Sequence, residues 1–337
     1  MAITRRELTA GAGALALSLP LGAAQAQDKT YVMKITTPTL NDTVHQLCKA
    51  FGAAVEKDSN GRIKAEVYPA RQLGPIPRQI EGTQFGAIQV AVIPPEFFVG
   101  VDERFEVMAT PGLLNSMAHG QRVAADPEVK KLIFSLGANK GLHVTGLFLA
   151  TPSHIISKTP IRRLEDFKGK KIRIFASDFQ FQAMRRLGVT PVAMTLGDVL
   201  PAIQQGTIDG AIAALNVYVP MRFNDAAKFV TEIHTPAIFL IIAVSKKWYE
   251  SLPKDLQQII DKNAAQETVA INKDAEAFVE RMRKTWVERG GELIQLPADE
   301  QAQLIKTLSS VGGDVSKNKP ALAAAFKTVM DAASRTK

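Results

Sequence analysis

Short alternating runs of apolar and polar residues recur along this chain, separated by longer segments with apolar residues three and four apart. Tyr31-Val32-Met33-Lys34-Ile35 has the period of a strand. A polar loop from Thr36 to Asp42 follows, and Asn41, Asp42 or Thr43 caps a helix that reaches about Asp58. Asn60-Gly61 turns the chain into a second strand, Ile63 to Tyr68, which Pro69 ends. Strand, helix and strand make a βαβ unit. The spacing then predicts a helix from Ile76 to Gln84, a stop at Gly86 and a buried strand around Ile88 to Val92. Helices around Ser116 to Ala125 and Val129 to Lys140 lead to an apolar strand, Leu142 to Leu149, that closes a first lobe.

The second half repeats the alternation. Ile155-Ile156-Ser157 is a strand, and Leu164 to Gly169 is a helical turn before the strand that carries Arg173. A helix from Phe179 to Leu187 is capped by Ser177 or Asp178 and stopped by Gly188; a strand follows from Val189 to Met194, and then a helix from Leu196 to Gln205. Ile238 to Ser245 reads as a strand running back towards the first lobe. From Pro253, at the first helical position, no breaker appears until Gly290-Gly291 apart from the polar stretch near Asn272. More than thirty residues at ~1.5 Å each give roughly 50 Å, longer than one small domain, so this helix is expected to be a spine touching two lobes. Glu292 to Leu296 adds a strand, and helices from Asp299 onward are expected to complete the second lobe.

Two stretches are alike. Registering Gly86 on Gly206 puts Ile88 on Ile208, Ala91 on Ala211 and Val92 on Ile212. Either this is chance among common helix-to-strand connections, or two lobes of similar α/β design face each other. In that register Glu96 corresponds to Asn216, each just past the carboxyl end of a strand, where open α/β sheets bind ligands.

Composition narrows the setting. Residues 1–26 read as an export signal: Arg5-Arg6 precedes an apolar run from Ala10 to Ala24, and Ala24-Gln25-Ala26 fits a small-x-small cleavage site. Paired arginines suit the twin-arginine route, and Sec signals also begin with basic residues. The apolar run is shorter than the ~20 residues that span a membrane, and no later segment is long enough. A soluble, exported bacterial protein follows. Removing the signal takes the net charge of this 337-residue chain from +8 to +7. Its basic residues are scattered in pairs with few aromatics among them, which argues against a nucleic-acid partner. The single cysteine, Cys48, lies on the apolar face of a helix and is expected to pack in a core. The five histidines show no metal-ligand spacing, and neither a GxSxG elbow nor a Walker loop is present, so no metal, cofactor or catalytic residue is expected.

Three positions stand out chemically. On the strand Lys171 to Phe175, Ile172 and Ile174 point to one face while Lys171, Arg173 and Phe175 point to the other. Arg173 is then either salt-bridged at a sheet edge or held to grip a carboxylate through two parallel hydrogen bonds. Asn216 interrupts the apolar stretch Ala211 to Met221 together with Tyr218, and is either satisfied locally or offered to a ligand. Thr151 to His154 falls where a strand would pass between lobes, near a hinge.

An ordered set of motifs then resembles one family. After the export signal come Gly61 to Pro69 with Gln72-Leu73-Gly74, Leu164 to Arg173, Pro191 to Met194, Gln204 to Gly210 and Ser245 to Pro253. This series looks like the substrate-binding protein of a TRAP (tripartite ATP-independent periplasmic) transporter, and the likeness covers nearly the whole mature chain. The resemblance implies an α/β, two-lobe periplasmic binding protein fold with a long helix spanning both lobes. It implies a first lobe from residues 27–150 plus 239–278 and a second from 151–238 plus 279–337. It implies a periplasmic receptor that closes on a small organic acid and delivers it to a small and a large membrane permease subunit, driven by an ion gradient. In that family the arginine matching Arg173 clamps the ligand carboxylate. Many members carry a basic or polar group at the position matching Ser153, and many have Gln-Glu-Asn-Pro where this chain has Ala211-Ile212-Ala213-Ala214. The usual asparagine position is Ala213, with Asn216 three residues on. The candidate ligand-binding residues are therefore Arg173, Asn216, Ser153, Glu96, Phe175 and Tyr218, with Leu215 and Phe97 adding apolar lining. One clear arginine among apolar groups suits a monocarboxylate with an apolar or aromatic body, such as a 2-oxo or 2-hydroxy acid. The competing classes are the binding protein of another importer, a sensor subunit, and a secreted enzyme acting on organic acids.

Overall fold

The structure, a computed structural model, describes residues 29–235 and 237–337; the expected export signal lies outside them. Among the described residues eleven strands build two sheets. In chain order they are β1 (Tyr31–Thr36), β2 (Ile63–Tyr68), β3 (Val90–Ile93), β4 (Leu142–Pro152), β5 (His154–Ser157), β6 (Lys171–Ile174), β7 (Thr190–Ala193), β8 (Gly210–Ala213), β9 (Phe229–Glu232), β10 (Ala237–Ser245) and β11 (Glu292–Gln295). One sheet has the order β2-β1-β3-β10-β4 and the other β11-β9-β5-β8-β6-β7.

The two sheets share a design. In the first, β2, β1 and β3 run parallel and β10 lies antiparallel beside β3. In the second, β7, β6 and β8 run parallel and β5 lies antiparallel beside β8. The likeness centred on Gly86 and Gly206 is therefore structural: each glycine takes a left-handed backbone (φ 88° and 74°) after a helix and before a buried strand. Both β3 and β8 are buried on both faces, as central strands of α/β sheets are. The chain leaves the first sheet at Ser153, between β4 and β5, and returns between β9 and β10. The fold is two lobes joined at these crossings.

The long helix forms as two segments, Lys254–Ala270 and Asn272–Glu288, with Pro253 as the cap just before the first. They meet at Ile271, whose backbone stays helical (φ −60°, ψ −27°). The first segment buries Leu256, Ile260 and Ala264 against Phe51 and Val55 of the first lobe. The second buries Trp286 against Tyr218 and Phe223 of the second. The helix is thus a spine shared by both lobes. The last helix, Pro320–Arg335, packs on helices Met117–Ala125 and Pro127–Ser135, where Arg335 pairs with Asp126 and His119 Nε2 lies 2.8 Å from Ala333 O. Cys48 is fully buried beside Leu47 and Phe51, and burial pushes its thiol pKa up. No helix among the described residues is long and apolar enough to cross a membrane.

Candidate ligand-binding site

The carboxyl ends of β1, β3, β6 and β8 converge on a cavity between the lobes, the place where α/β sheets take ligands. It holds about 510 Å³ of space free of protein atoms, its mouth included. The first lobe contributes Thr37, Pro38, Thr39 and Asp42 from the loop after β1, and Pro94 and Phe97 after β3. The second contributes Arg173 and Phe175 from the end of β6, and Ala213, Asn216 and Val217 after β8. Thr151, Ile238 and Leu240 from the crossing strands form the floor.

Arg173 is 1% exposed and lies in the sheet interior, with Ala211 of β8 on one side and Val192 of β7 on the other. It is not at an edge. Alternation explains its direction: Ile172 and Ile174 are buried in the core beneath it. Its Nε donates to Met194 O at 2.8 Å and Nη1 donates to Ile212 O at 3.0 Å. The guanidinium carbon lies 4.7 Å from the centre of the Phe175 ring. Among the described residues no carboxylate pairs with it and Nη2 has no hydrogen-bond partner. Burial lowers its pKa to about 10, with the Tyr218 hydroxyl opposing, so it remains a cation at neutral pH. A buried charge without a counter-charge is costly, and this one borders a cavity.

Phe175 stacks on Phe97 of the other lobe, centroids 5.1 Å apart. Asn216 is 3% exposed; its Nδ2 faces Thr43 Oγ1 of the first lobe at 3.4 Å, and its Oδ1 has no partner. Both therefore bridge the lobes. The other expected residues lie outside the cavity lining. Tyr218 is fully buried in the second-lobe core, where the single proton of its hydroxyl is shared between His154 O (2.9 Å) and Ala211 O (2.8 Å). The turn Leu215–Tyr218 presents Asn216 and Val217 to the cavity, which rotates Leu215 and Tyr218 away from it. Glu96 sits on the 3₁₀ turn Pro95–Phe98, between Pro94 and Phe97, which do line the cavity, but it points into the protein with both carboxylate oxygens unpartnered. Burial raises its pKa to about 8, and the nearby Glu106 charge adds to the rise. Ser153 is fully buried at the crossing between β4 and β5.

Comparison with known proteins places this geometry. The family model described as "Bacterial extracellular solute-binding protein, family 7" (DctP) matches residues 35–318. The chain belongs to this family. It is 30% identical over 325 residues to the C4-dicarboxylate-binding periplasmic protein DctP of Rhodobacter capsulatus, covering 94% of this chain and 95% of that one. In fold it is similar to a TRAP periplasmic solute-binding protein from Desulfovibrio salexigens with bound orotic acid (TM-score 0.86, 21% identity, 91% of this chain and 100% of that one). It is also similar to the sugar acid binding protein DctPAm from Advenella mimigardefordensis in complex with galactonate (TM-score 0.85, 21% identity, 92% and 99%).

As a member of the DctP family, the chain has a site that sequence reasoning saw only in part. The end of β1 borders the cavity as the ends of β3 and β8 do, and it brings in Asp42, which the sequence pattern marks only as a cap candidate. It does cap the helix Thr43–Asp58, where its Oδ1 accepts from His45 N at 2.9 Å. It is also fully buried, borders the cavity, and its Oδ2 has no partner of good geometry among the described residues. Burial raises its pKa to about 6, against the opposing effects of the His45 amide and the Thr39 hydroxyl. Arg71 lies outside the cavity lining but joins the two lobes nearby. It leaves a left-handed backbone position (φ 64°) in the first lobe and lies directly over Gly197 of the second.

Proposed function

We propose that this TRAP-type solute-binding protein captures a small monocarboxylate in the periplasm and delivers it to a permease of one small and one large membrane subunit. The observation that carries the reading is Arg173: a buried guanidinium at the cavity wall, without an acidic partner, anchored by two carbonyls and retaining donors for an anion. Its Nη2, with the remaining Nη1 proton, suits a carboxylate fork. The Phe97–Phe175 stack and the aliphatic floor suit an apolar or aromatic body. A second ligand carboxylate would meet Asp42 in place of a second cation.

The protein's task is binding. The acid touches groups of both lobes, and every contact made only in the closed form adds to its differential affinity for that form. The relatives are consistent with an acid ligand and differ in which acid they take: a C4-dicarboxylate for the Rhodobacter protein by its name, orotic acid and galactonate in the two solved structures.

A thermal-shift screen of residues 27–337 against organic acids tests the class. Ligand at about 100 times its Kd adds roughly 2.7 kcal/mol of stability. Monocarboxylates are expected to raise Tm, and Arg173→Ala is expected to abolish the rise. Shifts with C4-dicarboxylates alone would overturn the monocarboxylate reading, and no shift with any acid, after unfolding and refolding to strip retained ligand, would overturn the class.

A further inference from the structure

Beside Arg173, two residues that line the cavity carry a buried oxygen with no hydrogen bond of good geometry among the described residues: Asp42 Oδ2 from the first lobe, which has the Thr39 hydroxyl near its carboxyl, and Asn216 Oδ1 from the second. Both side chains are at least nine-tenths buried, at 0% and 3% exposure. An ionised carboxylate accepts hydrogen bonds and donates none. Leaving such acceptors buried and unsatisfied is costly. We propose that Asp42, with Asn216 beside it, reads a hydroxyl on the ligand, so that the protein selects hydroxylated monocarboxylates over their oxo counterparts. This inference rests on the proposed clamping of the acid by Arg173.

Capping alone does not explain a carboxylate at this position. The cap uses one oxygen, Oδ1. The second lobe has the equivalent helix after its first parallel strand, and its cap is Ser177, whose neutral hydroxyl accepts from the backbone N–H groups of Phe179 and Gln180. A carboxylate also serves that helix end, since Glu106 Oε2 accepts from Asp178 N and from the Ser177 hydroxyl, but it stands behind the cap serine, whereas Asp42 caps through Oδ1 and keeps Oδ2 on a residue that lines the cavity. A ligand hydroxyl meets this need by donating its proton to Asp42 Oδ2, while the carboxylate goes to Arg173. A ligand carbonyl brings a further acceptor against the Asp42 carboxylate, which has no proton to donate. A second carboxylate brings a like charge against Asp42. Because Asp42 and Asn216 belong to different lobes, a hydroxyl placed between them also favours closure. A site built to pair with a hydroxyl rejects the analogue that lacks it more strongly than an apolar pocket discriminates by size.

The test is calorimetric titration of residues 27–337 at pH 8, above the value near 6 to which burial raises the Asp42 carboxyl, so that Asp42 only accepts. The probes are matched pairs: phenyllactate and phenylpyruvate, mandelate and phenylglyoxylate, 3-hydroxybutyrate and acetoacetate, with the amine analogue phenylalanine beside the first pair. The native protein is expected to bind the hydroxy member of at least one pair more tightly by tenfold or more. Asp42→Asn keeps a good helix cap and can turn an amide N–H₂ to a carbonyl, so the preference is expected to fall below threefold. Asp42→Ser keeps a side-chain cap oxygen without the charge and is expected to lose affinity for the hydroxy acid while its affinity for the oxo acid stays within threefold of native. Equal or tighter binding of the oxo acids, a preference unchanged in both variants, or tightest binding by the amine would overturn the inference and leave the clamp standing. Acid binding that survives Arg173→Ala would overturn the clamp and this inference with it.

Discussion

Arg173 has its hydrogen-bonding geometry prepared but its charge unanswered. Two carbonyls and the Phe175 face hold the guanidinium in one orientation, which lowers the entropy still to be lost when an anion arrives. Arg173→Lys keeps the charge but loses the planar fork; a charge-assisted pair is worth roughly 1.5–3 kcal/mol, so titration is expected to show affinity falling by about 10- to 100-fold. Affinity within twofold of native would remove Arg173 from the site. Glu96 gives a second test at this scale. Its carboxyl pKa is raised from 4.5 to about 8, so the folded state favours the neutral acid. That contribution is complete below about pH 4.5 and is lost as pH rises through about 8. Glu96→Gln removes the dependence: its Tm relative to native is expected to rise by on the order of 5 °C between pH 5 and pH 9. A difference independent of pH would mean that Glu96 does not titrate this way. At this scale legibility was uneven. Arg173 stood out because Ile172 and Ile174 fix the phase of its strand. Glu96 and Asn216 were found as a pair by register, but a 3₁₀ turn and a helical turn rotate side chains differently, and only Asn216 borders the cavity.

The elements follow from their periods more directly. Alternation and short apolar runs located most strands, β11 among them but not β9, and the long stretch without a breaker after Pro253 located the spine. The polar stretch near Asn272 marked where the spine divides, at Ile271, which keeps helical dihedrals so that the two segments follow each other directly. Close packing of β8 against β5 is a stricter feature. A Cβ on Gly210 would collide with Ile156 O, a backbone atom that cannot swing aside, and would crowd Ile172 of the Arg173 strand. Gly210→Ala is therefore expected to destabilise by about 1–3 kcal/mol in denaturant unfolding. A loss below ~0.5 kcal/mol would show that the strands separate more easily than their register suggests.

At the scale of the whole molecule, two lobes of the same strand plan face each other with the ends of their parallel strands converging on one cavity. Gly86 and Gly206 made that duplication visible in the chain. How the faces meet was not visible, since Phe97 on Phe175, Asn216 on Thr43 and Arg71 over Gly197 join residues 78, 173 and 126 positions apart. In the proposed reading, groups of both lobes meet around one acid ligand. A crystal structure of residues 27–337 with the acid that raises Tm most tests this directly. The account predicts the ligand carboxylate about 2.7–3.0 Å from Arg173 Nη2, with groups of both lobes around its body. A carboxylate held elsewhere, with Arg173 still bonded only to Met194 O and Ile212 O, would contradict it.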